Sequence, residues 1–307
     1  MGGRRNQVPK VSVLMPSFNY GRYLPFAIKS VLSQSYSDLE LVITDDCSTD
    51  GSKEIAEEWK RLDDRVVTVF HDTNHGLARA RNSGLAVSTG EFVAFCDADD
   101  IWLPDKLKTQ VEYLQRRPEV GLVHSDGLIM DGDGNLTGKR FSSEFHRKGQ
   151  VTSGNLFEEL CQRNFLCVPT VILRREAIQY AGGFDERLRS LEDWLCWAKV
   201  SRKYPFYYVD EPLVQYRNHR DSLSYNAQGM AHNRVKALRS LLDTFPDIPP
   251  QCRAKMFYDI GTSYLVLGDS KGALRAFIDS IKSDALQVRS WVRCSQVVVR
   301  LVRSRNS

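Results

Sequence analysis

Strands and helices are predicted to alternate through the first hundred residues, and this alternation constrains the fold more than any other feature of the sequence. Four apolar runs of strand length end in polar residues: "KVSVLMPSFN", "LELVITDD", "RVVTVFHD" and "EFVAFCDADD". The segments between them, "YLPFAIKSVLSQ", "STDGSKEIAEEWKRL" and "GLARARNSGLAVS", are predicted to be helices. The pattern predicts an α/β fold, in which a mostly parallel sheet is flanked by helices on both faces.

The polar strand endings are expected to gather at one edge, because parallel sheets bind ligands at the carboxyl ends of their strands. The fourth strand is predicted to include "DADD", so Asp97 and Asp99, which are two residues apart, are expected to project together from its carboxyl end. Asp100 is expected to point elsewhere and to help start the next helix.

Neighbouring carboxylates raise each other's pKa and destabilise the fold unless something neutralises them. A divalent cation does so, and Mg²⁺ is usually held by one or two carboxylates together with substrate phosphates. Mn²⁺ favours similar oxygen ligands. The sequence therefore predicts half of an Mn²⁺ or Mg²⁺ site at Asp97 and Asp99, with a substrate diphosphate as the other half.

The other strand endings fit a nucleotide. A carboxylate at Asp45 or Asp46 can accept hydrogen bonds from a base or a ribose, and Arg79 or Arg81 could clamp a phosphate or stack on a base. No Walker A motif and no G-x-G-x-x-G after a strand is present in the sequence. The usual ATPase and dehydrogenase interpretations therefore lose their main support.

Four stretches resemble family 2 glycosyltransferases of the GT-A fold, a Rossmann-like fold. They are "VSVLMPSFNYGRYLPFAIKSVLSQSY", "LELVITDDCSTDGS", "NHGLARARNSGLAVSTGEFVAFCDADD" and "EDWLCWAKV", and the resemblance spans residues 10 to about 220. It implies an inverting, metal-dependent enzyme that uses a nucleotide-sugar donor, commonly UDP-linked. Acceptors in the family include saccharides and lipid-linked saccharides of surface polysaccharide or lipopolysaccharide assembly.

The resemblance also implies roles for individual residues. The catalytic base is assigned to Asp193, which follows Glu192 in the "ED" motif. Metal ligands are Asp99, Asp97 and His219, and Arg217 is a diphosphate contact. The predicted nucleotide-binding residues are Pro16, Ser17, Asn19, Asp46, Arg81 and Asp97.

The chain is predicted to divide into three parts. Residues 1–9 are a flexible tail, and residues 10–225 form the glycosyltransferase domain, with a nucleotide-binding half at 10–100 and an acceptor and catalytic half at 101–225. Residues 226–307 are a C-terminal helical extension. It contains one tetratricopeptide-like hairpin, which must pack on the main domain or on a partner because one repeat cannot bury its own apolar face. The hairpin pattern consists of Gly261, Tyr264, Gly268, Ala273, Ala276 and Phe277.

Composition indicates where the protein works. Seven scattered cysteines, never spaced C-x-x-C, and an N-terminus without an apolar signal segment favour a reduced, cytoplasmic protein. A net charge of +4 without a zinc-finger or RNA-binding motif gives no support for a nucleic-acid partner. The last segment, "QVRSWVRCSQVVVRLVRSRNS", is basic and lacks acids; it could lie on anionic lipid, expose a solvated arginine face or be a frayed tail.

Two other functional classes stay open at this point. A nucleotidyltransferase also places acids and a metal beside a nucleotide, although "PSFNYGRY" offers no Gly-rich basic phosphate loop. A non-catalytic scaffold would use the helical hairpin to bind a partner, although the intact acids at Asp99 and Asp193 argue against it.

Overall fold

The first half of the sheet is parallel, as predicted. The computed structural model describes residues 10–146, 152–219 and 226–303, the last four of these through their backbone alone. The predicted tail at residues 1–9 lies outside this part of the chain. Four neighbouring strands run in the order β3-β2-β1-β4, and every pairing among them is parallel. These strands are β1 (Val11–Ser17), β2 (Leu39–Asp45), β3 (Val66–Phe70) and β4 (Phe92–Phe95), connected by α1 (Leu24–Leu32), α2 (Ser52–Leu62) and α3 (Leu77–Val87).

The second half of the sheet is mixed. The strands are β5 (Ile101–Trp102), β6 (Leu122–Met130), β7 (Leu136–Arg140), β8 (Ile172–Arg174) and β9 (Phe206–Arg217). The sheet continues from β4 in the order β8-β6-β9-β5; β8 is antiparallel to both of its neighbours, and β6 and β9 are parallel. A turn after Met130 joins β6 to β7 in an antiparallel pair. The all-parallel arrangement is therefore limited to β1–β4, the strands that alternate with helices along the chain.

Helices cover both faces of the sheet. In β4, Val93 and Phe95 join one hydrophobic cluster, while Phe92 and Ala94 join the other. Because alternate side chains of a strand enter opposite layers, this central strand is buried on both faces. The helices of the second half are α4 (Lys106–Arg116), α5 (Phe141–Phe145), α6 (Phe157–Gln162), α7 (Arg175–Ala181) and α8 (Glu192–Ser201).

The C-terminal extension is helical. Its helices are α9 (Ala227–Thr244), α10 (Pro250–Val266), α11 (Ser270–Ser283) and α12 (Val288–Arg303). Helices α10 and α11 lie over the predicted hairpin. A Cβ atom at Gly261 would lie 2.5 Å from the Phe277 ring, so only glycine allows this close approach.

The extension shares a core with the main domain. Leu238 of α9 and Met256 of α10 belong to the same hydrophobic cluster as Trp197 of α8. Helix α9 packs on α8, and α10 packs on α6. The apolar core is therefore continuous across residue 225, and the division at that residue stays a prediction from the sequence. Among the described helices, none is long and apolar enough to cross a membrane.

Candidate active site

A cavity of about 1040 Å³ opens where β1, β2 and β4 end. Its wall brings together residues that the sequence places far apart. Of the predicted site residues, only Arg217 is missing from the lining. Those that line the cavity are Pro16, Ser17, Asn19, Asp46, Arg81, Asp97, Asp99, Glu192, Asp193 and His219.

The acidic motif after β4 is a turn. The strand ends at Phe95, and the Asp100 backbone N–H donates to the Asp97 carbonyl oxygen at 3.1 Å. The expectation that the strand runs through Asp99 was therefore wrong, although both carboxylates do face the cavity. The expectation that Asp100 starts the next helix was also wrong. Its buried carboxylate accepts a hydrogen bond from the Arg217 backbone N–H at 2.8 Å, and α4 begins only at Lys106.

A buried arginine joins this turn to α8. The Arg81 side chain is 1% exposed; its Nη2 donates to Asp97 Oδ1 at 2.8 Å, and its Nη1 donates to Glu192 Oε1. A guanidinium is well suited to hold two carboxylates at once, because its donors have a fixed planar geometry. The structure thus shows Arg81 bound to protein carboxylates, and a contact between Arg81 and the nucleotide stays a prediction.

Asp193 lies at the start of α8 beside Glu192. Leu191, directly before the helix, has a left-handed backbone with φ of 65°, which is uncommon for a leucine. Asn164 Nδ2 donates to Asp193 Oδ2 at 2.9 Å. The pKa of Asp193 is raised by burial and lowered less strongly by Arg81, so its carboxylate is a stronger base than an ordinary aspartate. Burial also raises the pKa of Glu192 to about 7, against the opposing charge of Arg81.

Asp99 and His219 form the part of the site that best suits a cation. His219 Nε2 lies 2.9 Å from Asp99 Oδ2. Among the described residues, no group of three or more His, Cys, Asp or Glu side chains could hold a metal ion. A cation at this place would therefore need oxygen atoms of the substrate, which is the usual arrangement for Mg²⁺. The donor set fits a divalent cation that binds together with a diphosphate.

Asp46 is tied to the loop that follows β3. Its Oδ1 lies 2.6 Å from His71 Nδ1 and accepts from the His75 backbone N–H at 2.9 Å, and its Oδ2 accepts from the Gly76 backbone N–H at 2.7 Å. His71 Nε2 in turn lies 2.9 Å from Ser83 Oγ. Asp46 therefore shapes one wall of the cavity through the backbone of this loop, and its contact with the base stays a prediction. His71 was given no role from the sequence, although its place directly after a strand was the available signal.

Arg217 lies behind the cavity. Its Nε donates to the Asp99 carbonyl oxygen at 2.8 Å, and its Nη1 lies 3.3 Å from the carbonyl oxygens of Asp131 and Gly132. Its guanidinium also stands over the Tyr23 ring, 4.5 Å from the centroid. Arg217 thus supports the acidic turn, and its role as a diphosphate contact stays a prediction that the geometry does not favour.

Arg189 is an arginine of the cavity wall that sequence reasoning missed. Its side chain is exposed and lies against Gly76, where an added Cβ would be 2.9 Å from the guanidinium. Within the described residues its guanidinium has no hydrogen bond or ion pair. No motif marks this residue, and only the fold brings it to the cavity.

Aromatic side chains form another part of the wall. Phe141 and Phe145 stack with their ring centroids 4.4 Å apart, and Tyr216 lies edge-on to Phe141 at 6.1 Å. All three line the cavity, and Phe145 is 41% exposed. The cavity therefore combines a charged wall at the strand ends with an apolar, aromatic one.

Comparison with known proteins gives a consistent match. The sequence model of "Glycosyl transferase family 2" matches residues 12–181. The chain is 32% identical over 222 residues to TuaG of Bacillus subtilis (strain 168), a glycosyltransferase named for teichuronic acid biosynthesis, covering 72% of this chain and 84% of the relative. It is 37% identical over 233 residues to an uncharacterized glycosyltransferase of Nostoc sp. (strain PCC 7120), covering 74% and 67%.

Two solved structures show the fold. S. aureus TarS 1–349 in complex with UDP-GlcNAc superposes with a TM-score of 0.65 at 19% identity, covering 89% of this chain and 81% of that one. The mannosyltransferase PcManGT of Pyrobaculum calidifontis, in complex with GDP-Man and Mn²⁺, gives 0.60 at 20% identity, covering 96% and 86%.

Proposed function

Because this chain belongs to glycosyl transferase family 2 and is a glycosyltransferase of the GT-A fold, we propose that it moves a sugar from a nucleotide-sugar to an acceptor hydroxyl with inversion at the anomeric carbon. One observation carries this proposal. Arg81 holds the Asp97 turn and the Glu192–Asp193 pair in a single cavity, so that a donor site and a base face the same space.

Asp193 is the base of the proposed reaction. A sugar hydroxyl becomes a good nucleophile only as its proton is removed, and the base must lie about 3 Å from that hydroxyl. The raised pKa of Asp193 makes it a better proton acceptor, and the hydrogen bond from Asn164 fixes the direction of its carboxylate. The hydroxyl oxygen then bonds to the anomeric carbon from the face opposite the diphosphate, and the bond to the diphosphate breaks.

The donor diphosphate is expected beside Asp99 and His219. These two side chains would hold Mn²⁺ or Mg²⁺, which when bound offsets the negative charge of the departing nucleoside diphosphate. Arg189 is better placed than Arg217 to contact the phosphates, because its exposed guanidinium lies on the cavity wall and has no other partner among the described residues. The remaining nucleotide contacts are proposed for the walls formed by Pro16, Ser17, Asn19 and the Asp46 loop.

The aromatic wall suits the acceptor. Phe145 and Tyr216 offer apolar faces on which a sugar ring can pack. A UDP-linked donor and a role in bacterial surface polysaccharide assembly, with a saccharide or lipid-linked acceptor, are supported by the TarS complex and by the name of the Bacillus relative. A nucleotidyltransferase or a scaffold is not favoured by any observation within the described residues.

Release of nucleoside diphosphate tests the proposal. Purified enzyme should release UDP or GDP from one member of a nucleotide-sugar panel when Mn²⁺ and an acceptor are present, and EDTA should suppress the release. Asp193→Asn should lower turnover at least about 100-fold, the scale of a lost acid–base group. It should leave the stabilisation by donor and Mn²⁺ unchanged, because the substitution removes only the base.

The matched control is Asp133→Asn, since Asp133 is a highly exposed aspartate outside the cavity lining. Its turnover should equal that of the wild type. Turnover by Asp193→Asn close to the wild-type value would defeat the assignment of the base.

A further inference from the structure

Helix α12 is anchored to the rest of the protein along one side only. Val297 is 3% exposed and forms a hydrophobic cluster with Ala273 and Phe277 of α11, and the half-buried Cys294 packs against this cluster. Ser290 is fully buried, with its Oγ 2.7 Å from Ser280 Oγ. Positions 290, 294 and 297 follow helical spacing, so they form one stripe. The docked face of α12 is therefore well defined.

A second stripe of α12 is apolar and exposed. One sector of this helix, roughly 120° wide and next to the docked face, contains the exposed Ser295 as its single polar side chain among those described. Because each residue turns the helix by about 100°, the apolar positions 288, 291, 292, 298 and 299 all fall within this sector. Their exposed fractions are 66% for Val288, 54% for Trp291, 50% for Val292, 43% for Val298 and 50% for Val299. Leu286, two residues before the helix, is 86% exposed. Nothing in the described part of the chain covers this apolar stripe.

A third stripe is basic. Arg289 and Arg293 are exposed and lie on the other side of the apolar stripe, together with Gln296. The sequence from Ala285 to Ser307 contains no aspartate or glutamate. The helix therefore has three sectors in sequence around its axis: docked, apolar and basic.

We propose that α12 lies in the surface of an anionic lipid bilayer, with the apolar stripe facing the acyl chains and the arginines facing the headgroups. An exposed apolar sector bordered by arginines is the pattern of helices that bind the membrane interface without spanning it. Tryptophan is enriched at this depth, and each arginine near an anionic surface adds electrostatic attraction. Docking on α11 keeps the helix parallel to the protein surface, which limits it to shallow insertion.

A second copy of the chain is a poorer occupant of this stripe. The helix has 16 residues and is about 24 Å long, so one stripe about 10 Å wide offers roughly 240 Å² per copy. Stable protein interfaces bury about 800 Å² per partner. Two copies would also bring arginine stripes together, with no acid on α12 to pair with them. Charge and area both favour lipid.

Vesicle sedimentation with the full chain tests the proposal, and it needs no donor, so its result is independent of the proposed glycosyl transfer. The protein should pellet with vesicles of equal parts phosphatidylglycerol and phosphatidylcholine, and should stay in solution with phosphatidylcholine alone. Added salt should weaken binding, because it screens the arginines. Trp291→Ser combined with Val292→Asn, and Arg289→Glu combined with Arg293→Glu, should each lower the partition coefficient at least about tenfold.

Matched controls change the same properties elsewhere. Phe26→Ser removes an apolar side chain that is 61% exposed on α1, and Lys29→Glu combined with Lys108→Glu changes net charge as much as the arginine pair does. Both should bind vesicles like the wild type, and circular dichroism should show every variant folded. Equal loss of binding in the controls would overturn the proposal. A wild-type protein that does not bind the anionic vesicles would also overturn the proposal. This holds if light scattering shows a monomer, and equally if it shows a dimer that the Trp291→Ser, Val292→Asn variant dissociates, since the stripe would then join two copies of the chain.

Discussion

The proposed donor wall, formed by Ser17, Asp46, Asp97 and Asp99, and the proposed base, Asp193, come from two halves of the chain that are built differently. In residues 10–100, most of the cavity's acids and hydroxyls lie at or just after strand ends, as Ser17, Asp46 and Asp97 do at β1, β2 and β4. In residues 101–219 they come from separate kinds of element. Asn164 lies in a loop and Asp193 in the first turn of α8. A repeated strand–helix unit thus builds the proposed donor wall by local rules, whereas the half that contains the proposed base depends on contacts between distant segments.

Arg81 is where the two halves meet. It comes from α3 in the first half and reaches Glu192, which is 111 residues away in the sequence. Its side chain and that of Glu192 are both nearly inaccessible to water. The relative position of the Asp97 turn and the Glu192–Asp193 pair therefore depends on one buried ionic group.

Removing that group is expected to have the largest effect. Arg81→Met keeps much of the side-chain volume but leaves the Asp97 and Glu192 carboxylates without the positively charged guanidinium that pairs with them. Loss of one partner of a buried ion pair should lower the free energy of unfolding by about 3–5 kcal/mol. Urea denaturation at neutral pH measures this change.

Arg79→Met provides the matched control, because Arg79 is on the same helix and is half exposed. Its Nη1 forms an ion pair with Glu186 Oε2 at 3.9 Å. Such a surface pair contributes about 1 kcal/mol or less. If Arg81→Met were as stable as Arg79→Met, the two halves would not be joined through this residue.

The sequence predicted the first half well because periodicity and strand ends determine it. The four parallel strands and the polar residues at their ends all follow from local pattern. The details of the acidic turn did not follow. Asp100 is bound by the backbone N–H of Arg217, which lies more than a hundred residues later, and no local rule anticipates that contact.

The second half was predicted mainly through motifs. The "ED" motif located Asp193, but nothing in the sequence indicated Asn164, Arg189 or the antiparallel place of β8. Arg217 was chosen for its position in a motif, whereas its guanidinium is directed at backbone carbonyl oxygens. These features are decided by packing between segments that are distant in sequence.

Asp99→Asn distinguishes the contribution of the proposed donor wall from that of the proposed base. Turnover should fall at least about 100-fold, the scale of lost charge stabilisation in a transition state. The same variant should also lose the stabilisation by nucleotide with Mn²⁺, which for the wild type is roughly 2.7 kcal/mol with ligand at about 100 times its dissociation constant. Thermal shift measures this second effect, and Asp193→Asn, which keeps Asp99, should retain it. If nucleotide with Mn²⁺ stabilised Asp99→Asn as much as it stabilises the wild type, the cation would bind elsewhere in the cavity.

The smallest effect concerns the base alone. Asn164 Nδ2 donates to Asp193 Oδ2, and this hydrogen bond lowers the pKa of Asp193 by stabilising its charged form. Asn164→Leu removes the bond, so the pKa of Asp193 should rise further. Because the base acts deprotonated, activity is lost as pH falls through that pKa, and the acid limb of kcat/KM should move to higher pH. A hydrogen bond to a charged group is worth about 1.5–3 kcal/mol, which predicts a shift of about one pH unit or more.

Asn135→Leu is the control for this shift, since Asn135 Nδ2 also donates to an aspartate, Asp131, in the turn between β6 and β7. Its acid limb should stay in place, because neither residue lines the cavity. In Asn164→Leu, stabilisation by the donor with Mn²⁺ should also stay at the wild-type value, since the donor wall is untouched. A lower rate with an unmoved acid limb would mean that Asn164 only positions the acceptor, or that the proton goes to a group other than Asp193.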